Sequence, residues 1–430
     1  MGQISKQTAL YIALLFVCSS FTLIFPFYPG IAESKGVDLW LIGLIFSLNP
    51  IAKILITPFL GKIMLKIGRK SVVTASFILT GMSMLVLSPI ESCEKNTLLV
   101  LSVFSRAFSG WASGCVFISV TSIFISDYPD KAVTMIGRME AAVGVGLTLG
   151  PVIGASLYFL QLFGALIFLG STALAFTPIA WKMLGKFREL KIVDAEINTI
   201  PLLLKPRIFL SVLMDTTYLF SSGLLATILE VHLRSYDLDP LYVSLCFAFQ
   251  SGFYLAVSLI SGAVLRNANE RLFMIIGVFC LALGYSMLGP WTAIYPNEVW
   301  VVILSLPVIS IGQCFTYSNL YLVFSIPYMQ KSVVQDYGYK HDDIIDERIC
   351  GYAVTACAVG EIIGPMYAGM ISDFFSIETC CVIASGATFV YLIVYIFGSG
   401  YFYDVTHKRK TIVSIDTELE RSVIGNEHHF

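Results

Sequence analysis

Twelve stretches of roughly twenty apolar residues dominate this 430-residue chain, and they leave few folds open to it. They lie near 8–29, 40–60, 71–90, 97–124, 136–159, 162–184, 207–231, 241–263, 272–290, 299–326, 350–371 and 379–400. Each is long enough to cross a hydrocarbon core as a helix. With 57% hydrophobic and 13% charged residues, the chain has too few polar side chains for a soluble surface of this size. The expected class is therefore an all-α membrane protein, since a lipid-exposed backbone must satisfy its own hydrogen bonds. The apolar run after Lys6 lacks a small-residue cleavage site and reads as a retained helix.

The chain also repeats itself. GRMEAAVGVGLTLGPVIGA (137–155) and GYAVTACAVGEIIGPMYAG (351–369) share a register, so that Gly137, Gly146, Gly150 and Pro151 match Gly351, Gly360, Gly364 and Pro365. Gly154 follows in the first copy. A second pair of matching points is Gly61, opening GKIMLKIGRK, and Gly262, opening GAVLRNANER. The order of these points is the same in both halves, which implies parallel repeats of six spans each, packed about an axis along the membrane normal. The expected organisation is a six-helix bundle over 1–184, a linker over 185–205, a second bundle over 206–402 and a polar tail over 403–430.

Lys and Arg divide unevenly between the two sides. Lys62, Lys66, Arg69 and Lys70, the group from Lys182 to Arg207, and Lys408 to Lys410 fall on the side of the termini. The opposite loops hold Lys35, Lys95 and Arg234. This bias predicts that both termini are cytosolic.

The ten cysteines are scattered through apolar runs without ligand spacing, so buried packing explains them better than a metal or redox site. The formal net charge of −2 carries no nucleic-acid signal. There is no phosphate-binding loop and no nucleophile constellation. We expect no enzyme and no cofactor, and a monomer that handles a small solute and protons in a bilayer.

Several of these motifs resemble those of the major facilitator superfamily, and the resemblance covers nearly the whole chain. Gly61-x6-Gly68-Arg69-Lys70 is similar to its loop between the second and third spans, although Leu65 stands where an aspartate is usual. Arg106-x3-Gly110 resembles its intramembrane arginine motif, and Gly137 to Gly154 the motif of its antiporters. Within the superfamily, FPFYPGIAESKG (25–36), Gly43-Leu44-Ile45-Phe46 and YPDKAVTMIGRME (128–140) are similar to vesicular amine transporters, particularly their polyamine-type branch. The charged positions differ: Val17, Val354, Asn49 and Ala226 stand where that family carries charge, while Lys53 and Glu230 each lie one turn further along. The resemblance implies proton-coupled antiport of an amine or polyamine by alternating access, in a vesicle or plasma membrane.

Charge within a span is costly, so each instance is a candidate site. The spans hold Lys53, Arg106, Glu140, Asp215, Glu230 and Glu361. Lys53 and Glu361 lie ~12 and ~16 Å deep at the helical rise of about 1.5 Å per residue. They are expected to pair across the halves, either as a gate that breaks in one facing state or as a permanent structural pair. Asp215, near mid-membrane, is the candidate for proton or cation binding, with Glu361, Glu230 and Arg106 as further coupling residues. Glu140 reads as an acid that favours the start of its helix. Gln313, Asn319, Tyr317 and Tyr321 form a polar and aromatic run in the tenth span, suited to a cavity wall and to cation–π contact. Two other classes stay open: a membrane sensor on a transporter scaffold, and a facilitative carrier of a neutral or anionic solute held by Arg106 and Lys53.

Overall fold

The computed structural model describes residues 2–128, 131–157, 160–185, 187, 203–264, 270–291, 294–316, 329–330, 332–333 and 343–399. All regular structure among them is helical, and twelve helices are long and apolar enough to cross a membrane. The first half holds α1 (Gly2–Leu23), a short α2 (Tyr28–Ser34), α3 (Leu39–Ile67), α4 (Arg69–Leu87), α5 (Lys95–Asp127), α6 (Ala132–Ser156) and α7 (Gln161–Leu184). The second holds α8 (Pro206–Arg234), α9 (Pro240–Val264), α10 (Glu270–Leu288), α11 (Val299–Thr316), α12 (Asp343–Phe374) and α13 (Ile377–Gly398). Together α1 and α2 make the first span, interrupted where Pro26 disfavours helical backbone at the residue before it. Residues 317–326 of the tenth predicted span, nearly all of the linker and the tail lie outside the described residues.

Gly68 separates α3 from α4. Its φ of 83° and ψ of 150° suit glycine and strain any other residue. The expected turn at Gly61 is therefore displaced by two helical turns. Gly61 sits exposed within α3, and a Cβ there would meet nothing within 4 Å. The basic pair that follows is also not a simple surface anchor. Arg69 is buried, with Nη2 2.9 Å from Asp127 Oδ1 and Nη1 donating to the Ser122 carbonyl at the end of α5. The Lys70 ammonium sits 4.0 Å from the Trp181 ring centroid.

The repeated glycines act within each half rather than between the halves. Gly146 and Gly150 press α6 onto α1, where a Cβ at Gly146 would come 2.7 Å from Cys18 Cβ and one at Gly150 would collide with Thr22. Gly360 and Gly364 press α12 onto α8, against the backbone of Thr216 and Phe220. Gly154 meets the Phe27 ring, whereas Gly351 is exposed and meets nothing. Contacts across the halves are made by Gly43 of α3, which abuts Pro365 and Gly369 of α12, and by Gly144 of α6, which abuts Leu255 of α9.

The halves meet unevenly along the membrane normal. One hydrophobic cluster joins them, and it gathers the helix ends far from the N-terminus: Leu23 to Tyr28, Ile42, Phe46, Leu224 to Leu233, Val243, Phe247 and Ala368. Nearer the termini, the clusters around Val120 and Ile136, around Leu60 and Met64, and around Ile208 and Ala353 each belong to one half. There Val354, two turns before Glu361 on the same face of α12, is 59% exposed, and Thr57 and Gly61, one and two turns beyond Lys53 on α3, are exposed as well. The molecule is closed at its far face and splayed at the face of the termini.

Candidate functional site

Between the halves, where the splayed part meets the closed part, lies a cavity of about 50 Å³ that opens to the outside. Its wall takes Thr22 and Phe25 from the end of the first span, Pro151 from α6, Tyr218 and Ser222 from α8, Gln250 and Tyr254 from α9 and Gln313 from α11. A smaller neighbouring space of about 20 Å³ shares Phe25, Ser222 and Ala226 and reaches Glu361 on α12.

The first span contributes through one stripe: Phe25 follows Phe21 by one turn and enters the same space. Its ring meets Phe21 at 5.0 Å, Phe46 at 5.5 Å and Phe247 at 6.2 Å between centroids. These rings come from both halves and close the cavity toward the far face. The opposite wall is polar but uncharged. Gln250 Nε2 donates to Gln313 Oε1 at 2.8 Å, and Tyr218 stacks on Tyr254 at 5.9 Å. A solute here meets aromatic faces, hydroxyls and amides, with Glu361 at one edge.

The acid at that edge is answered across the halves. Lys53 Nζ of α3 lies 2.8 Å from Glu361 Oε2 of α12, and both side chains keep some exposure, 25% and 12%. Nearly two turns before Lys53 on α3, Ser47 Oγ donates to the carbonyl of Ile362, the residue after Glu361. The pair therefore sits where the joined part of the α3–α12 contact gives way to the splayed part.

The other proposed coupling residues lie apart from the cavity. Asp215 is fully buried in α8, its carbonyl accepting from Cys357 Sγ at 3.5 Å, and lines neither space. Arg106 of α5 is 1% exposed. It lies near Tyr28, whose hydroxyl donates to Ser102 Oγ, and its Nη1 and Nη2 have no hydrogen-bond partner among the described residues. Glu230 is 4% exposed and belongs to the far face, where its Oε1 is 3.5 Å from Arg234 Nε. Glu140 does not start its helix: α6 begins at Ala132, so the acid lies in the third turn, beyond the reach of a helix-terminus effect. Tyr317, Asn319 and Tyr321 lie outside the described residues.

The sequence reading missed the far-face closure. Arg234 of α8 pairs with Glu33 of α2, joining the halves, while Glu230 packs against Gly30 at the start of α2. Asp38 makes no side-chain cap at the start of α3. Asp373 at the end of α12 supplies it from the other half, accepting from the Leu39 amide at 3.3 Å. The signal available was weak: Glu33, Arg234 and Asp373 flank apolar spans, where charged residues are common. Gln250 carried a stronger one, an amide at the middle of an apolar run.

A family model described as the Major Facilitator Superfamily matches residues 10–334. The chain is 23% identical to the MFS-type transporter SLC18B1 of Rattus norvegicus over 368 residues, 84% of this chain and 78% of that one. It is 32% identical over 154 residues to a multi-drug resistance efflux pump PmrA homolog of Lactococcus lactis, covering 34% of this chain and 36% of the relative. Among solved structures, the nucleoside transporter NupG superposes with a TM-score of 0.67 at 13% identity, covering 91% of this chain and 98% of the other.

Proposed function

Since the chain belongs to the major facilitator superfamily, whose members are membrane transporters rather than enzymes, we propose that it exchanges protons for a small organic cation, an amine or polyamine, by alternating access. The observation that carries this reading is Glu361, which edges the cavity while its charge is held by Lys53 of the opposite half. A cationic solute entering from the splayed face competes with the Lys53 ammonium for that carboxylate. So does a proton. Either one leaves Lys53 without its partner and loosens α3 from α12, the contact that must change for the halves to rock. Coupling then follows from competition, because one carboxylate cannot be neutralised by Lys53, a proton and the solute together.

The aromatic and amide wall suits an amphipathic cation, through cation–π contact and hydrogen bonds. A multi-drug resistance efflux pump among the relatives supports outward transport of a small solute. The Lys and Arg bias supports cytosolic termini, so the splayed face is the cytosolic one and transport runs outward or into a vesicle. We take the working unit to be a monomer, since the cavity lies within one chain.

The purified protein in proteoliposomes tests this reading. With an imposed pH gradient, spermidine or ethidium should accumulate, and an ionophore that dissipates the gradient should abolish the accumulation. Uptake of either probe that ignores the gradient would point to facilitated diffusion. No uptake of any solute would favour the sensor.

A further inference from the structure

Glu361, which edges the cavity, has Lys53 as its cation, whereas a second acid inside the spans has none among the described residues. That acid is Glu140. On a helical repeat, 140, 144, 147 and 151 share one face of α6. Gly144 on that face lies against Leu255 of α9, and Leu147 and Pro151 line the cavity. Glu140 therefore sits on the cavity-side stripe, about two turns closer than Leu147 to the splayed face.

Its electrostatic neighbours come from three other helices: Cys18 of α1, Tyr254 of α9 and Cys357 of α12. The two cysteines also feel Lys53 and Glu361, which places Glu140 in the same central group. No basic side chain among the described residues pairs with it. Arg138, two residues back, lies instead near Tyr11 of α1. The Glu140 side chain is partly exposed. An acid at membrane depth with no counter-charge is costly to keep. Tyr254, stacked on Tyr218 in the cavity wall, lies within electrostatic range of Glu140. A carboxylate in the same wall as aromatic faces suits an ammonium group.

We propose that Glu140 is the group that first takes the ammonium of the transported solute, at the cavity mouth, before that ammonium meets Glu361. This rests on the cation-exchange reading above. It adds a specificity residue that discriminates charge at entry, while the Lys53–Glu361 pair responds to arrival.

The test is the initial rate of spermidine and ethidium uptake by reconstituted protein under a fixed pH gradient. Glu140→Gln should raise KM for both probes by about tenfold or more, the loss expected when a charged partner is removed, with a smaller change in maximal rate. A structural role would lower the yield of folded protein and leave KM alone. An unchanged KM in Glu140→Gln overturns the assignment and leaves cation exchange standing. Wild-type protein that accumulates neither probe removes the cation-exchange reading, and the role of Glu140 with it. Should Glu140→Gln not reach the membrane, Glu140→Asp carries the test, because it keeps the charge and withdraws it by one methylene. A KM raised about threefold or more then upholds the assignment, and an unchanged KM overturns it.

Discussion

At the scale of the residue, each charge in a span must be answered, and the answers differ. Lys53 and Glu361 answer one another across the halves and keep partial contact with water. Exposure of this kind lowers both the desolvation cost and the value of the pair. We expect Lys53→Met and Glu361→Gln each to lower stability by about 1–2 kcal/mol, because each strands one charge. The double variant should regain most of that loss yet stay unable to accumulate substrate. Thermal unfolding in detergent, read beside proteoliposome uptake, separates the two effects. A double variant that transports normally would make the pair a structural tie and no gate. This contact was legible from sequence because charges in the spans are so few that a lysine and an acid at similar depth invite pairing. Glu140 was not legible in the same way. Its place in the third turn of α6 depends on where that helix begins, and four residues of error turned a cavity-facing acid into a helix-end acid.

At the scale of the element, the spacing of the glycine motif was visible, but its target was not. The same spacing serves a hinge between halves or a clamp within one, and only packing decides. Here α6 closes on α1 and α12 on α8 through backbone contacts that exclude any Cβ. Close approach of this kind holds helices together where lipid offers no hydrophobic drive between them. Gly150→Leu and Gly364→Leu should therefore each cost about 1–3 kcal/mol or more and lower the yield of monodisperse protein on size exclusion. Gly61→Ala makes the opposite prediction. Gly61 lies within α3 with open space around it, so alanine should be neutral or stabilise by up to about 1 kcal/mol. If Gly61→Ala loses as much folded protein as Gly150→Leu, the division between clamping and free glycines fails. The loop motif was misplaced in the sequence reading for a related reason. Both Gly61 and Gly68 can turn a chain, and it is the backbone of Gly68, at positive φ, that does so.

At the scale of the molecule, twelve spans in two repeats were legible because apolar length and repeated spacing survive any detail of packing. The facing state was not, because it depends on which contacts the halves make with each other. The far face is held by the Phe25 rings, by Asp373 capping α3 and by Arg234 between Glu33 and Glu230. Of these, the Arg234 contacts with Glu33 are the most exposed, with side chains at 40% and 29%. Breaking them should cost little fold stability, about 1 kcal/mol or less. A two-state equilibrium of the halves responds to such a small change. A shift of about 1.4 kcal/mol alters the ratio of facing states tenfold, and half of that still alters it about threefold. Glu33→Gln should therefore raise the fraction open at the far face without unfolding the protein. The measure is a cysteine placed at Ser222 in the cavity wall, labelled from the far side by a thiol reagent that cannot cross the membrane. We expect faster labelling in Glu33→Gln than in the parent, and slower labelling again when Arg234→Gln is added only if Glu230 then finds another partner. Loss of Arg234 leaves Glu230 buried against Gly30 without its cation, so the expected outcome of the double variant is labelling at least as fast as in Glu33→Gln. Equal labelling in the parent and both variants would mean that the aromatic plug alone sets the facing state.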